Sequence, residues 1–192
     1  MTPIDKLNQW ILAERTAGAP NPQQAVLSTA TKQAIPHSRV VAIREINEKG
    51  LLFFTQRGTR KVEEMTANPS VSMTFWFELL IREIIIEGII EALSDAENEL
   101  YWQDYPREAQ IKFHSYAPTS SKPIKDKEEL ELKRSLIRED YAEKLIPLSS
   151  LYCGFRLKPN RFVFYSYHAD VLSDVVEYTK PKDEWQSQLL SP

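Results

Sequence analysis

Hydrophobic and β-forming residues dominate positions 24 to 93, in runs of Val, Ile, Phe, Thr and Leu broken by turn-like groups such as Asn47-Glu48-Lys49-Gly50. These runs predict five strands in this part of the chain, at 25–31, 38–45, 51–55, 70–77 and 82–93. Four more are predicted towards the C-terminus, at 152–158, 161–167, 175–179 and 184–190. Most of the links are too short for the crossover helices that parallel neighbours require. The pattern therefore predicts a mainly β protein, an antiparallel meander or barrel with peripheral helices.

Helical periodicity is confined to shorter segments around this sheet region. Ile4, Leu7 and Ile11 share one face of an N-terminal helix predicted at 2–17. Further helices are predicted at 59–67 and from Pro106 to Phe113, and another is predicted to begin at a capping box that starts with Ser94. Segment 115–126 is predicted as a loop and 127–145 as a solvated helix. We expect one domain over 1–192, with the barrel core at about 24–93 and 151–190.

Composition narrows the range of functions. The chain has 24 Lys and Arg against 27 Asp and Glu, a net charge of −3, which excludes binding nucleic acid through a broad basic surface. The single cysteine, Cys153, excludes an intrachain disulfide and a multi-cysteine metal site, and is predicted to be a small buried residue. No segment has the roughly 18 apolar residues of a membrane span, and the N-terminus lacks the pattern of a signal peptide. We therefore expect no membrane partner and a cytoplasmic location.

The strongest local signal for chemistry is Thr55-Gln56-Arg57-Gly58-Thr59-Arg60-Lys61, which joins a strand to a helix. Arg60 and Lys61 place two cations in the first helical turn, where they oppose the positive end of the helix dipole unless an anion is present. A phosphate would resolve this conflict, held by the backbone amides, the Thr59 hydroxyl and the two cations. The alternative is that both side chains project into water.

A second signal is the strand Ser38-Arg39-Val40-Val41-Ala42-Ile43-Arg44, in which two arginines bracket an apolar stretch. Strict alternation places Arg39 and Arg44 on opposite faces, so a bulge or the end of the strand must redirect one of them if both bind one ligand. The three histidines, His37, His114 and His168, lack metal-ligand spacing, and we expect no metal. No residue is identified as a catalytic acid or base.

In order and spacing these segments resemble the pyridoxamine 5'-phosphate oxidase family. The resemblance runs through Ser38-Arg39-Val40-Val41, Leu51-Leu52-Phe53-Phe54-Thr55, Gly58-Thr59-Arg60-Lys61, Asn68-Pro69, Pro106-Arg107-Glu108-Ala109, Leu148-Ser149-Ser150-Leu151 and the segment from Trp185 to the C-terminus. It covers nearly the whole chain. It implies an FMN-binding split β-barrel that works as a homodimer, with FMN at the subunit interface and a small-molecule substrate.

The resemblance also implies site residues. Those implied to bind the cofactor are Arg39, Val40, Val41, Arg44, Phe54, Thr55, Arg60 and Lys61. Arg39, Arg60 and Lys61 would contact the FMN phosphate region, and Arg44 stands where the family usually has lysine, near the flavin and the substrate. Tyr101 is the one match among the family's tyrosine, arginine and serine ligands for the substrate phosphate.

Other positions depart from the family pattern. Tyr105 and Ala109 stand where the family has the other two ligands of the substrate phosphate, and Val171 and Ser173 stand where it has the arginine and histidine of an Arg-x-His motif. Glu83 stands where the family has glutamine, Tyr165 where it has tryptophan, and Pro118 and Thr119 where it has glutamine and serine. An acid at Glu83 would disfavour an anionic reduced flavin unless it is protonated or paired. The sequence leaves the roles of Glu83, Tyr165 and segment 115–126 open.

Three functions fit these residues. The first is an FMN-dependent oxidoreductase of this family with an altered substrate that carries an amine or alcohol. The second is oxidation of pyridoxamine or pyridoxine 5'-phosphate itself, with the phosphate held by other cations such as Lys112, Lys122 or Lys125. The third is a noncatalytic protein that binds flavin or another small molecule.

Overall fold

The computed structural model describes residues 1–192, which form five α-helices and eight β-strands. The helices are α1 (Pro3–Thr16), α2 (Arg60–Ala67), α3 (Asp95–Gln103), α4 (Arg107–Tyr116) and α5 (Lys127–Asp140). The strands are β1 (Gln24–Ala30), β2 (Pro36–Asn47), β3 (Gly50–Gln56), β4 (Ser70–Phe77), β5 (Arg82–Ala92), β6 (Tyr152–Ser166), β7 (Asp174–Thr179) and β8 (Gln186–Leu190). The mainly β prediction is confirmed.

The strands form one sheet in the order β3-β2-β1-β4-β5-β6-β7-β8, and an additional pairing of β3 with β6 closes the first six into an antiparallel barrel. The closure depends on Gly50, whose φ of +120° suits glycine and whose Cβ, if present, would lie 2.1 Å from the carbonyl oxygen of Leu157. Only glycine lets β3 and β6 approach so closely at this point.

The chain forms two compact units. The first comprises residues 1–54, 64–91 and 155–192, and the second comprises 55–63 and 92–154. The expectation of a single domain over 1–192 stays a prediction. The first unit has an apolar core that includes Leu27, Phe53, Phe75, Ile84 and Phe162, all fully buried. Burial of such side chains contributes about 1.5–3 kcal/mol each to stability.

One strand differs from its prediction. Residues 152–158 and 161–167 were expected to be separate strands, but β6 runs unbroken over 15 residues. Gly88 of β5 explains the continuity, since a Cβ there would lie 2.1 Å from the carbonyl oxygen of Lys158 and 2.9 Å from the Cα of Pro159. Close passage over Gly88 keeps the proline within the sheet, where local sequence favours a turn.

The first helix anchors the turn between β4 and β5. Glu14 of α1 is 2% exposed, and its carboxylate accepts hydrogen bonds from the backbone N–H groups of Leu79 and Leu80 at 2.9 and 3.2 Å. Ile81 follows with φ +50°, a conformation that a β-branched residue rarely adopts. The buried acid thus stabilises a strained turn, which sets the start of β5 and the position of Glu83.

The second unit is mainly helical. The predicted capping box is confirmed, because the Ser94 hydroxyl accepts from the Glu97 N–H and the Glu97 carboxylate accepts from the Ser94 N–H. Helix α5 has no buried residue, which agrees with the prediction of a solvated helix, although it ends at Asp140 rather than at 145. None of the helices in the protein is both long and apolar enough to cross a membrane.

Candidate functional site

In the second unit, the turn between β3 and α2 has the geometry of an anion site. Gly58 has φ +76°, a left-handed conformation that allows the sharp reversal between the strand and the helix. The Thr59 carbonyl oxygen accepts from the Val62 and Glu63 N–H groups at 2.9 and 3.1 Å, so the helix begins here. The Thr59 hydroxyl is buried and donates to the Gln56 carbonyl oxygen at 2.8 Å. This hydrogen bond stabilises the turn, so the expectation that the Thr59 hydroxyl faces a phosphate is wrong.

The two cations of this turn have different surroundings. Arg60 is exposed, and Lys61 is half-buried with its Nζ donating to the Thr55 hydroxyl at 3.1 Å. Both lie at the positive end of α2, where backbone N–H groups lack partners within the helix. Two cations and helix-terminal amides form a donor set that suits a phosphate monoester. The chemistry of these donors therefore fits the phosphate group of FMN.

Segment 115–126, predicted as a loop, is partly helical and is tied to the same turn. Helix α4 continues to Tyr116, and a 3-10 helix follows at Ala117–Thr119. The Gln56 side chain donates to the Tyr116 hydroxyl at 3.1 Å and accepts from the Ser120 hydroxyl at 3.2 Å. Thr119, one of the two departures from the family's cofactor-contacting pair, is thereby held near the end of β3. No local pattern in the sequence indicates this role of Gln56.

In the first unit, β2 displays its two arginines on opposite faces. Burial alternates without a break from Arg39 to Ile43, so Arg39 lies on the inner face with Val41, and Arg44 lies on the outer face with Val40. The register of β2 against β3 shifts only between Ile43 and Glu45. The bulge that the sequence argument required is present at Arg44, but it does not bring the two side chains to one face.

The apolar residues implied to line the flavin also differ in exposure. Val40 is 61% exposed and presents its side chain outward, whereas Val41 is 8% exposed and packs into the core. Only the backbone of Val41 is available to a ligand on the outer face. Phe54, in β3, is half-buried.

Arg39 is part of a buried polar cluster that the sequence did not reveal. Its Nη1 donates to the Thr29 hydroxyl at 2.6 Å, and its Nη2 lies 3.5 Å from Oε2 of Glu64. Glu64 of α2 is 5% exposed and also contacts Nδ1 of His37 at 2.6 Å. Burial alone would raise the pKa of Glu64, but the hydrogen bond from Thr29 and the neighbouring His37 and Arg39 outweigh it and lower that pKa.

Glu83 lies within an aromatic group on the outer face of the first unit. Its carboxylate accepts from the Tyr167 hydroxyl at 3.3 Å, and Trp76 is its direct partner across the β4–β5 ladder. The Tyr167 ring stacks on Tyr165 at 4.2 Å and meets Trp76 edge-on at 5.7 Å. Burial and the Glu83 charge raise the pKa of Tyr167, so its phenol remains a hydrogen-bond donor at neutral pH. Glu83 is therefore paired, which the sequence had left open.

The positions expected to hold a substrate phosphate are occupied by other contacts. In the second unit, the Tyr105 ring packs at 6.0 Å from Trp102 and 5.9 Å from Tyr152. It also lines a cavity of about 440 Å³ in that unit. Tyr101 and Ala109 are half-buried. None of these three side chains carries a positive charge, so a dianion would lack an ion pair with them.

In the first unit, the segment that replaces the family's Arg-x-His motif is largely exposed. Val171 is 70% exposed, and the Ser173 hydroxyl accepts from the His168 N–H at 3.4 Å. His168 pairs through its ring with Asp174 at 3.1 Å. Neither Val171 nor Ser173 supplies a cation.

The single cysteine has a structural environment, as predicted. Cys153 is 3% exposed, and its thiol donates to the Thr55 carbonyl oxygen at 3.6 Å. Burial raises the pKa of Cys153 to about 11, although Arg57 and Lys61 act against the shift. A thiol that stays protonated at neutral pH is a poor nucleophile, which leaves Cys153 as a packing residue beneath the turn.

Comparisons with known proteins agree with the family resemblance found in the sequence. Residues 12–139 match the family model described as pyridoxamine 5'-phosphate oxidase, and residues 152–192 match the pyridoxine 5'-phosphate oxidase C-terminal dimerisation region. A pyridoxine/pyridoxamine 5'-phosphate oxidase from Alteromonas mediterranea is 32% identical over 192 residues, which is 100% of this chain and 90% of that protein. A protein with the same name from Psychromonas ingrahamii is 31% identical over 190 residues, which is 99% of this chain and 87% of that protein.

Two solved structures show the same fold. PhzG from Burkholderia lata, in complex with tetrahydrophenazine-1-carboxylic acid, superposes with a TM-score of 0.87 at 24% identity, over 99% of this chain and 92% of that one. A pyridoxamine 5'-phosphate oxidase-related, FMN-binding protein from Nostoc punctiforme superposes with a TM-score of 0.80 at 17% identity, over 100% of this chain and 99% of that one. With both family models and full-length relatives in agreement, the chain belongs to the pyridoxamine 5'-phosphate oxidase family of FMN-dependent oxidoreductases.

Proposed function

We propose that this protein binds FMN and oxidises a small organic amine or alcohol that lacks the phosphate of pyridoxine 5'-phosphate. The observation that carries the proposal is a contrast in charge. The turn between β3 and α2 holds Arg60 and Lys61 beside helix-terminal amides, whereas the substrate-phosphate positions hold Tyr105 and Ala109. The chain thus keeps the donors for a cofactor phosphate and has no cation at the matched positions for a second one.

The residues that the family pattern proposes for FMN are Arg39, Val40, Val41, Phe54, Thr55, Arg60 and Lys61. Arg44 is kept as a proposed substrate contact only, because it lies on the opposite face of β2 from Arg39. Lys61 and Arg60 would balance the charge of the phosphate, and Val40 offers an exposed apolar side chain to a flat ring. When bound, FMN supplies the capacity to accept a hydride from a substrate carbon. Arg44 and Tyr101 are proposed to orient the substrate.

The Glu83–Tyr167 hydrogen bond bears on the same function. A carboxylate beside a flavin disfavours added negative charge on the ring, and a hydrogen bond from the neutral Tyr167 phenol stabilises that carboxylate charge without cancelling it. Glu83 would therefore favour a neutral over an anionic reduced flavin. No side chain is assigned as a general acid or base, because the residues provide binding and orientation.

An anaerobic reduction assay tests this function. The purified protein, loaded with FMN, is mixed with a panel of primary amines and alcohols, and loss of the oxidised-flavin absorbance is followed. We expect at least one unphosphorylated compound to reduce the flavin faster than pyridoxine 5'-phosphate does. Dithionite serves as the control that the bound flavin can be reduced. If dithionite alone reduces it, the protein is a noncatalytic flavin-binding protein and the proposal is wrong.

We also propose that the working form is a homodimer. Residues 152–192 match a dimerisation region, and this region exposes Val171, Leu172 and Leu189 at 70, 82 and 79%. The outer face of the sheet also exposes Val40 and Trp76, and such apolar side chains are commonly covered by a partner. The cytoplasmic location stays a prediction.

Sedimentation measures the oligomeric state directly. We expect one species at twice the chain mass of 22.3 kDa, in the presence of FMN and at micromolar protein. Replacing Val171 and Leu172 by serine removes apolar surface from the dimerisation region, and replacing the exposed Leu132 and Leu136 of α5 is the matched control. A stable FMN-loaded monomer of the unmodified protein contradicts the proposal.

A further inference from the structure

A buried polar cluster joins two strands to the helix that follows the phosphate turn. It consists of Thr29 on β1, His37 and Arg39 on β2, and Glu64 on α2, and is called the Glu64 cluster below. Thr29 and Glu64 are 2 and 5% exposed, and the Arg39 side chain is 21% exposed. All four residues belong to the first unit.

The contacts form a relay that ends on the Arg39 guanidinium. Arg39 Nη1 donates to the Thr29 hydroxyl at 2.6 Å, and that hydroxyl in turn donates to Oε2 of Glu64 at 2.5 Å. Nη1 also donates to the Leu27 carbonyl oxygen at 3.3 Å, and Nη2 lies 3.5 Å from Glu64 Oε2. Three acceptors on one side of a planar group fix both its position and its plane.

Stability alone does not account for a carboxylate in this place. A buried ion pair contributes little net stability compared with well-packed apolar residues, since desolvation offsets the attraction. What the pair does provide is a single orientation for a long side chain that otherwise has many rotamers. A guanidinium held in one plane binds the oxygens of a phosphate with a smaller loss of entropy.

We propose that Glu64 is a positioning residue that acts with Thr29 to hold Arg39 in the orientation that binds the FMN phosphate. The inference rests on the proposed function, because it assigns Arg39 to that phosphate. Glu64 does not touch the ligand in this scheme and acts through Arg39. Its negative charge also opposes an anion at longer range, so the proposal requires that orientation outweighs this repulsion.

Binding of FMN and riboflavin to the apo form of the full chain tests the proposal, with Glu64→Gln and Thr29→Val as variants. Riboflavin lacks the phosphate and therefore reports on every contact except those to the phosphate, of which the proposed Arg39 contact is one. We expect each variant to bind FMN about 10- to 100-fold more weakly, by analogy with the loss of the hydrogen-bond partner that orients a metal ligand, with riboflavin affinity within about twofold of the unmodified protein. Glu63→Gln is the matched control, since Glu63 is exposed on the same helix and carries the same charge.

A double-mutant cycle separates positioning from packing. Once Arg39→Ala has removed the guanidinium, adding Glu64→Gln should weaken FMN no further, because the two residues act through one contact. Equal losses of FMN and riboflavin in Glu64→Gln, additive losses in the cycle, or tighter FMN binding would each overturn the inference. If Arg39→Ala itself leaves FMN affinity unchanged, the inference fails while FMN binding stands. An unmodified protein that binds no FMN overturns the proposed function and this inference together.

Discussion

Replacing Arg60 and Lys61 together by alanine is expected to weaken FMN binding by about 100-fold or more. A hydrogen bond between a charged group and a phosphate contributes about 1.5–3 kcal/mol, so the loss of two removes at least about 3 kcal/mol. Arg60 is exposed, and screening by water and salt holds its own contribution near the lower end of that range. Riboflavin lacks the phosphate, and its affinity should change little.

The comparison of the two ligands makes this result specific. Titrating the apo protein with FMN and with riboflavin, and following the quenching of flavin fluorescence, gives both dissociation constants. The control Lys127→Ala with Lys133→Ala removes two exposed cations from α5 and so reproduces the change in net charge. Equal weakening of FMN and riboflavin by the Arg60 and Lys61 changes would show that the turn does not bind the phosphate.

That turn could be predicted because its signals are local. Thr55, Gly58 and Lys61 lie within seven residues, and a strand end, a left-handed glycine and a helix start each leave a mark in the sequence. The same holds for most strands, since a run of β-branched and aromatic residues between turn signals is visible within the segment itself. Where contacts with a neighbouring strand determine the structure, as they do for β6 at Pro159, the predicted break in the strand was wrong.

The clusters that surround the turn could not be predicted in this way. Glu64 lies 35 residues from Thr29, and Tyr167 lies 84 residues from Glu83, so no local window contains both members of either pair. Glu64 also occupies a position in α2 where a charged residue is ordinarily solvated. Only the packing of α2 against β1 and β2 turns that side chain inward. The expected role of Thr59 failed for a different, local reason, since its hydroxyl donates to the carbonyl oxygen of Gln56 three residues earlier.

Pyridoxamine and pyridoxine 5'-phosphate are expected to be poor substrates, with affinities about 30- to 1,000-fold below those of an enzyme that pairs the phosphate with arginine. Loss of such a pair removes about 2–4 kcal/mol of binding. Tyr105 is neutral and packs against Trp102 and Tyr152, and Val171 and Ser173 supply no cation. The alternative phosphate ligands, Lys112, Lys122 and Lys125, are all exposed. Lys122 lies near the Pro118 carbonyl oxygen and Lys125 near Asp126.

Placing arginine and histidine at these positions tests whether their absence weakens the binding of pyridoxine 5'-phosphate. Val171→Arg with Ser173→His changes side chains outside the core of the single chain, and sedimentation checks that the variant keeps the oligomeric state of the unmodified protein. Tyr105→Arg also removes an aromatic contact, so it is added second. Single-turnover reduction of bound FMN by pyridoxine 5'-phosphate should become faster at low substrate concentration, with the gain largest in the triple variant. Pyridoxine without the phosphate is the control, and its rate should not respond to Tyr105→Arg. If the unmodified protein already turns over pyridoxine 5'-phosphate with a low-micromolar KM, other side chains hold the phosphate, and the altered-substrate proposal is wrong.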